Sequence, residues 1–144
     1  MKKNTFGTNL GLIVLRLALG AVFCAHGAQK LLGLWEGKGW AETLAGFQEM
    51  GIPSWLGMVA ICTEFFGGIA VIIGALTRLA GLGLAITMAV AIGLVHGKNG
   101  FFLSNGGFEF NLALLAMGLT LLFAGGGDWA VDRWIFQARR KTDE

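Results

Sequence analysis

Six ionisable side chains lie within or beside four long apolar stretches of the sequence: Arg16, His26, Lys30, Glu64, His96 and Glu109. On insertion scales, a charge at the centre of a membrane costs roughly 2.5–3.5 kcal/mol, so it marks a pairing or functional role. Carboxylates and cations occur on different stretches and could pair, while histidine exchanges protons near neutral pH. These residues therefore predict buried ion pairing, proton-linked chemistry, or both.

The composition indicates that the stretches cross a membrane. Of the 144 residues, 55% are hydrophobic and only 14% are charged, with a mean hydropathy of +0.67, which is more apolar surface than a soluble domain of this size could bury. A scattered net charge of +2 argues against a nucleic-acid partner. Cys24 and Cys62 have no C-x-x-C spacing, so we interpret them as packing residues.

The chain is predicted to form one all-α membrane domain over residues 1–144, a bundle of four transmembrane helices. The predicted spans are 10–32, 54–76, 79–95 and 108–124, each near the length that a bilayer core requires. Arg16 interrupts the first stretch and no small-x-small cleavage site follows, so we expect a retained helix rather than a signal peptide. Apolar residues at helical spacing predict two short surface helices, over 40–50 and 128–140.

Lysine and arginine are concentrated on one side of the predicted spans, which is the cytoplasmic side in membrane proteins. The other side carries mainly Lys38 and Lys98. Both termini are therefore predicted to be cytoplasmic, since that side holds Lys2, Lys3, Arg78, Arg133, Arg139, Arg140 and Lys141.

Two spans carry polar, glycine-lined faces. At about 100° per residue, one face of the first span contains Arg16 and Lys30 with His26 close by, and Glu64 shares a face of the second span with glycines. At a rise of about 1.5 Å per residue, Arg16 lies ~10 Å and Glu64 ~18 Å from the inner membrane edge. We therefore predict an Arg16–Glu64 pair.

The remaining polar residues lie further outward. His26 and His96 fall at almost the same depth, ~25 Å from the inner edge, with Lys30 and Glu109 just above them. Together with the Arg16–Glu64 pair they predict a polar cavity that opens outward. Asn111 lies on the other side of its helix from Glu109 and is left outside this cavity.

Each residue also has a purely structural interpretation. The Arg16–Glu64 pair could only fix helix register, and the two histidines could bond backbone groups at the membrane interface. Lys30 could extend toward the headgroups, and Glu109 could favour the positive N-terminus of the fourth helix.

Several local patterns together resemble the DoxX family of small four-helix membrane proteins. They are Arg16-Leu17, Gly27-x-x-Lys30, Glu64 with Gly67-Gly68, Thr77-Arg78, the stretch from His96 through Phe101-Phe102 to Gly106-Gly107-x-Glu109, and Asp132. The resemblance covers about residues 10–135. It implies a multi-pass protein of the bacterial inner membrane, described as an oxidoreductase or quinol-oxidase-like subunit. By resemblance, Arg16, Lys30, Glu64, Arg78, His96, Glu109 and Asp132 match the family's polar positions, and His26 matches a frequent His-Gly pair.

The first functional hypothesis is a redox-linked membrane protein that binds a quinone or a similar small apolar molecule. His26, His96 and Lys30 would donate hydrogen bonds, while Glu64 and Glu109 would carry protons. Glu64 and His96 are the predicted catalytic residues. No G-x-G-x-x-G fingerprint follows a strand, so electrons would come from a partner protein or a bound cofactor. Metal variants are a haem b held by the two histidines, or a non-haem iron held by both histidines and Glu109.

Two other functions remain open at this stage. The chain could be a non-catalytic anchor or accessory subunit for a soluble oxidoreductase. It could also be a small proton or solute transporter, since buried Arg, Glu and His residues line such pathways. Four spans are few for transport, which would favour a homodimer.

Overall fold

The computed structural model describes residues 4–135, and this part of the chain is helical without any strand. The prediction of an all-α fold is confirmed. A π-helical turn, Ile92–His96, and a 3-10 turn, Gly97–Asn99, continue the fourth helix, and a further 3-10 turn, Leu103–Asn105, precedes the fifth. The α-helices are α1 (Phe6–Leu32), α2 (Gly39–Glu49), α3 (Ser54–Ile73), α4 (Thr77–Ala91) and α5 (Glu109–Ala124).

Three helical stretches in the described residues are long and apolar enough to cross a membrane: Phe6–Leu32, Ser54–Ile73 and Thr77–Asn99. The fourth apolar helix, α5, has 16 residues and is about 24 Å long, shorter than a hydrocarbon core of about 30 Å. Large apolar side chains such as Val14, Phe66 and Ile86 are exposed on the outside of the helices. This surface suits a bundle surrounded by lipid.

Glycines bring the helices together in two antiparallel pairs, α1 with α3 and α4 with α5. A Cβ added at Gly68 on α3 would lie 3.0 Å from the carbonyl oxygen of Gly20 on α1. A Cβ at Gly81 on α4 would lie 2.8 Å from the carbonyl oxygen of Gly118 on α5. Only glycine permits such close backbones. The predicted packing of the two glycine-lined faces is confirmed at Gly20, Gly27 and Gly68, whereas Gly57 packs on α2 and Gly67 faces Leu84 of α4.

Substituting a glycine at one of these contacts is expected to destabilise the fold. Gly118→Ala places a methyl group 2.9 Å from the carbonyl oxygen of Gly81, so α4 and α5 must separate, at a cost of about 1–3 kcal/mol. Gly11→Ala is the matched control because nothing lies within 4 Å of its Cβ position. The free energy of unfolding in detergent micelles measures both. Equal values for the two variants would contradict the close packing.

The bundle has two distinct ends. The backbone N–H of Asn4 donates to Asp128 (2.8 Å), so the beginning and the end of the described chain lie at one end, called here the inner end. The surface helix α2 lies at the opposite, outer end, where Leu44 and Phe47 pack on Gly57. Helix α2 confirms the surface helix predicted over 40–50. The second one, predicted over 128–140, begins later than predicted: residues 128–130 form a turn, residues 131–135 are helical, and residues 136–140 lie outside the described part of the chain.

Helix α3 ends earlier than predicted. Its last residue is Ile73, and Gly74 follows in the left-handed conformation (φ +76°) that glycine commonly adopts after a helix. The tight connection is therefore residues 74–76, and Arg78 lies in the first turn of α4 rather than in the connection.

Candidate functional site

Lys30 and Glu64 form an ion pair between α1 and α3. The Nζ atom of Lys30 lies 2.6 Å from both carboxylate oxygens of Glu64. The Glu64 side chain is only 4% exposed, whereas the Lys30 side chain is 31% exposed. One partner is thus buried in the bundle and the other reaches its surface.

The local packing of α1 explains why these two residues meet. At Gly27, an added Cβ would lie 2.6 Å from the Cα of Phe65, so the two backbones touch at this level. Lys30 is one turn further along α1, and Glu64 precedes Phe65 on α3. The long Lys30 side chain then extends inward along the seam between α1 and α3 and ends at the carboxylate.

The predicted Arg16–Glu64 pair is wrong. Arg16 is buried, but its guanidinium donates to backbone carbonyl oxygens: Nε to Val71 (2.9 Å), Nη2 to Ile72 (2.7 Å) and Nη1 to Gly126 (3.1 Å). The last carbonyls of a helix have no partner within it and carry the negative end of its dipole. Arg16 therefore supplies hydrogen-bond donors to the carbonyl groups at the C-terminal end of α3.

Two other charged residues complete helix ends at the inner end of the bundle, and a third, Asp128, links side chains there. The Asp132 carboxylate accepts from the backbone N–H groups of Leu76 (2.6 Å) and Thr77 (2.8 Å) at the start of α4. Arg78 donates to the carbonyl oxygens of Leu122 and Phe123 at the end of α5. Asp128 bonds Asn9 and Arg133. These contacts give Arg78 and Asp132 structural roles.

His96 and Glu109 hold the outer loop that joins α4 to α5. His96 Nδ1 is 2.9 Å from the carbonyl oxygen of Gly106, and Glu109 Oε1 accepts from the backbone N–H of Leu103 (2.6 Å). Both partners belong to residues 97–108, and the π-helical turn Ile92–His96 places His96 beside them. The side chains of His96 and Glu109 therefore bond this loop and do not contact the Lys30–Glu64 pair.

His26 lies at the position where one face of α1 becomes uncovered. Leu19 and Phe23 are 0% and 2% exposed, while His26 is exposed and Lys30 half-buried. At about 100° per residue these four residues lie within about 60° of one another, so they form a single ridge. The ridge is therefore covered in the middle of the bundle and open toward its outer end, where its polar residues begin.

Asn111 is the polar residue of α5 that faces the bundle interior. It is buried, and its Nδ2 atom lies 3.5 Å from the Met88 sulfur on α4. It continues the buried row of Leu114, Gly118 and Leu121 by one turn outward. The spacing of three to four residues between Asn111, Leu114, Gly118 and Leu121 could have predicted that Asn111 is buried, because residues three and four apart share a helix face.

The three-ligand iron site predicted from His26, His96 and Glu109 is not formed. In residues 4–135, no three His, Cys, Asp or Glu side chains are grouped closely enough to hold a metal ion. The haem hypothesis, which needs only two histidines, stays a prediction. Cys24 and Cys62 are both free thiols, and Cys62 borders an apolar groove of about 400 Å³ between α3 and α4.

The Lys30–Glu64 pair is the arrangement best suited to bind a small molecule. A half-exposed ammonium can donate a hydrogen bond to an incoming oxygen atom without leaving the carboxylate entirely. The carboxylate can accept a proton within hydrogen-bond reach. The other candidates, apart from His26, already bond backbone groups, including those at the inner end.

Comparisons with known proteins agree with this architecture. A protein of Bacillus subtilis (strain 168), named "Putative oxidoreductase CatD", is 32% identical over 131 residues, which cover 91% of each chain. "Inner membrane protein YqjF" of Escherichia coli (strain K12) is 28% identical over 125 residues, covering 87% of this chain and 92% of the relative. No solved structure matches at a significant level. The sequence model of the DoxX family matches residues 11–97, more than half of the chain, and the protein therefore belongs to the DoxX family.

Proposed function

We propose that this membrane protein binds a quinone, or a similar small apolar redox molecule, at the Lys30–Glu64 pair. The polar headgroup would lie against the pair and His26, and the apolar remainder would lie along the lipid-facing surface of the bundle. The role is that of an oxidoreductase component in the bacterial inner membrane. The names printed for the two relatives, "Putative oxidoreductase CatD" and "Inner membrane protein YqjF", support both parts of the proposal.

One observation carries the proposal. Leu19 and Phe23 on the α1 ridge are buried. His26 and Lys30, which lie nearer the outer end of the same ridge, are exposed and half-buried. Ionisable residues within a membrane pair with one another or mark a functional site, and the exposed side of the Lys30 ammonium can still donate a hydrogen bond to a ligand. A ring with carbonyl or hydroxyl oxygens accepts this bond while its apolar part remains in lipid.

The chemistry assigned to the pair is binding and proton exchange. The Lys30 ammonium donates a hydrogen bond to a quinone carbonyl, or to a hydroxyl oxygen of the reduced form. Glu64 accepts a proton when a hydroquinone is oxidised and returns one when a quinone is reduced. Reducing a quinone needs two electrons and two protons. Glu64 supplies one proton, water at the exposed side of the pair supplies the other, and the electrons come from a redox partner or a bound redox group.

The proposal is tested by titrating the detergent-solubilised protein with a short-chain quinone. Glu64→Gln preserves the shape of the side chain but removes its charge, so quinone affinity should fall by about tenfold or more. Glu109→Gln is the matched control because Glu109 bonds the outer loop, and its quinone affinity should be unchanged. Thermal unfolding confirms that both variants fold. Equal affinities in the two variants would contradict the site.

A second candidate is an anchor or accessory subunit for a soluble oxidoreductase. It is favoured by the fact that Arg16, Asp132, His96 and Glu109 all bond backbone groups. In that case neither Glu64→Gln nor His26→Ala would change quinone binding or the cellular tolerance of quinones, while deletion of the whole protein would.

A transporter is less well supported. Between Arg16 at the inner end and Lys30 toward the outer end, α1 contributes the buried apolar residues Leu19 and Phe23. Leu84 of α4 and Leu121 of α5 belong to the same core. A proton or solute pathway would need polar groups or water through this layer.

A further inference from the structure

Helix α5 alone is too short to complete the fourth crossing of the bundle. It is about 24 Å long, whereas the stretch Thr77–Asn99 beside it, called here the α4 stretch, has 23 residues and is long enough to cross the hydrocarbon core. Their inner ends lie at one level, because Arg78 donates to the carbonyl oxygens of Leu122 and Phe123. The difference in length therefore falls at the outer end, where residues 100–108 connect the two.

The start of α5 lies deeper in the bundle than the end of the α4 stretch. A Cβ at Gly118 would be 2.9 Å from the Gly81 carbonyl oxygen and 3.2 Å from the Ala85 nitrogen, so Gly118 is level with the segment between them. Lys98 is at least 13 residues outward of this level, and Glu109 is nine residues outward. Glu109 therefore lies about one helical turn, or more, inward of Lys98.

The connecting loop returns to this deeper level at once. The carbonyl oxygen of Phe101 accepts from the backbone N–H of Glu109 (2.9 Å), so Phe101 lies beside the first turn of α5. Lys98 is exposed at the end of the α4 stretch, where lysine ammonium groups extend to the headgroups. The loop backbone at Phe101 thus lies inward of the headgroup level that Lys98 marks.

The exposed side chains of the loop are mainly apolar. Phe101, Phe102 and Leu103 are all exposed, and the Phe101 ring packs edge-on against the rings of Phe102 and Phe108. Residues 100–108 contain no Lys, Arg, Asp or Glu. A contiguous exposed apolar patch of this kind marks a surface that another molecule covers.

The patch is continuous with the lipid-facing surface of the helices. Leu94, which precedes the loop on the α4 stretch, and Phe110, which follows it on α5, are both exposed. Val90 and Leu112 extend the same exposed apolar surface further along the two helices. Acyl chains that cover these helix surfaces would therefore cover the loop as well.

The backbone of the loop meets the requirement that lipid imposes. At membrane depth, irregular backbone is tolerated only where the protein satisfies its polar groups. The N–H groups of residues 105–109 all donate to carbonyl oxygens of the loop. The Gly106 carbonyl oxygen accepts from Asn99 Nδ2 (3.2 Å) and lies 2.9 Å from His96 Nδ1. These internal bonds do the work that water would do for a loop in solution.

We propose that residues 100–108 lie in the outer leaflet of the bilayer and complete the fourth crossing where α5 stops. The rings of Phe101 and Phe102 contact acyl chains. The Glu109 carboxylate holds the loop in place by accepting from the backbone N–H of Leu103. The partner of this surface is lipid, and its position is independent of whether the protein binds a quinone.

A nitroxide spin label at residue 102 tests the position of the loop. The variant is Phe102→Cys in a Cys24→Ala/Cys62→Ala background, reconstituted in phosphatidylcholine vesicles. Oxygen concentrates in lipid and a charged nickel complex remains in water, so the ratio of their collision rates with the label reports depth. We expect this ratio to be about tenfold higher than for Glu42→Cys, an exposed position on α2. Ile86→Cys, which is exposed on the side of α4, is the lipid-facing reference.

A ratio at residue 102 equal to that of Glu42→Cys would place the loop in water and overturn the proposal. Slow collision with both reagents would mean that a protein surface covers the loop, such as a second copy of the chain, and would overturn it as well. Thermal unfolding confirms that the labelled variants fold, and Leu103→Cys takes the place of Phe102→Cys if the latter does not.

The role of Glu109 is tested with the same label. Glu109→Ala removes the acceptor of the Leu103 N–H, so the loop should loosen from α5 and the nickel collision rate at residue 102 should rise several-fold. Glu109→Gln keeps an acceptor oxygen and should restore the original rate. An unchanged rate in Glu109→Ala would show that the carboxylate does not position the loop.

Discussion

Replacing Lys30 by methionine is expected to lower the free energy of unfolding by about 3–5 kcal/mol, because it leaves the Glu64 carboxylate buried without its partner. Glu64 is 4% exposed and both its oxygens are bonded by the ammonium, so neither water nor another side chain replaces that contact readily. The measurement is denaturant unfolding of the solubilised protein in mixed micelles.

The double variant Lys30→Met/Glu64→Leu is the control that separates stability from function. Removing both charges also removes the cost of burying them, so most of the lost stability should return. Quinone affinity should stay low, because neither the donor nor the proton acceptor is present. Recovery of binding with recovery of stability would mean that the pair only holds the helices together. Additive losses in the two single variants would mean that the residues do not interact.

The helices could be predicted from the sequence because hydrophobic length and glycine position determine them. The second span was expected at 54–76 and α3 is Ser54–Ile73. Of the glycines expected between the first two spans, Gly20 and Gly68 do pack together. In lipid, every backbone polar group has to be satisfied within the segment, so a long apolar stretch has few alternatives to a helix.

The partner of Glu64 could not be predicted because depth alone does not decide between two cations. Arg16 and Lys30 lie on opposite sides of the Glu64 level, and each has a side chain long enough to approach it. The end of α3 decides the matter. Once α3 stops at Ile73, the Val71 carbonyl keeps only the N–H of Gly74 and the Ile72 carbonyl needs a donor. Arg16 is the buried donor at their level. Glu64 is then left to Lys30.

The outer loop was mispredicted for a similar reason. The predicted depth of His96 assumed the uniform rise of an α-helix, whereas Ile92–His96 is a π-helical turn that changes the direction of His96. His96 and Glu109 then form hydrogen bonds with backbone groups of the outer loop. The spacing of residues along the sequence does not predict such bonds. Asn111, which continues the buried row of α5, could have been found from spacing alone.

Arg16→Met should lower the free energy of unfolding by about 2–4 kcal/mol while leaving quinone affinity unchanged. The loss arises because the carbonyls of Val71, Ile72 and Gly126 lose a buried donor, and an unsatisfied buried polar group costs about 1–3 kcal/mol. Arg16→Lys should not restore stability, since a single ammonium cannot match three acceptors arranged around a planar guanidinium.

Arg78→Met is the matched comparison, because Arg78 also donates to the last carbonyls of a helix but at an exposed position. Water can replace its contacts, so its loss should be below about 1 kcal/mol. The difference between the two arginines would establish that burial, rather than capping as such, makes Arg16 costly to remove. If Arg16→Met instead lost quinone affinity with its stability intact, the ligand would extend to the inner end of α1, and the dry layer formed by Leu19 and Phe23 would have to open.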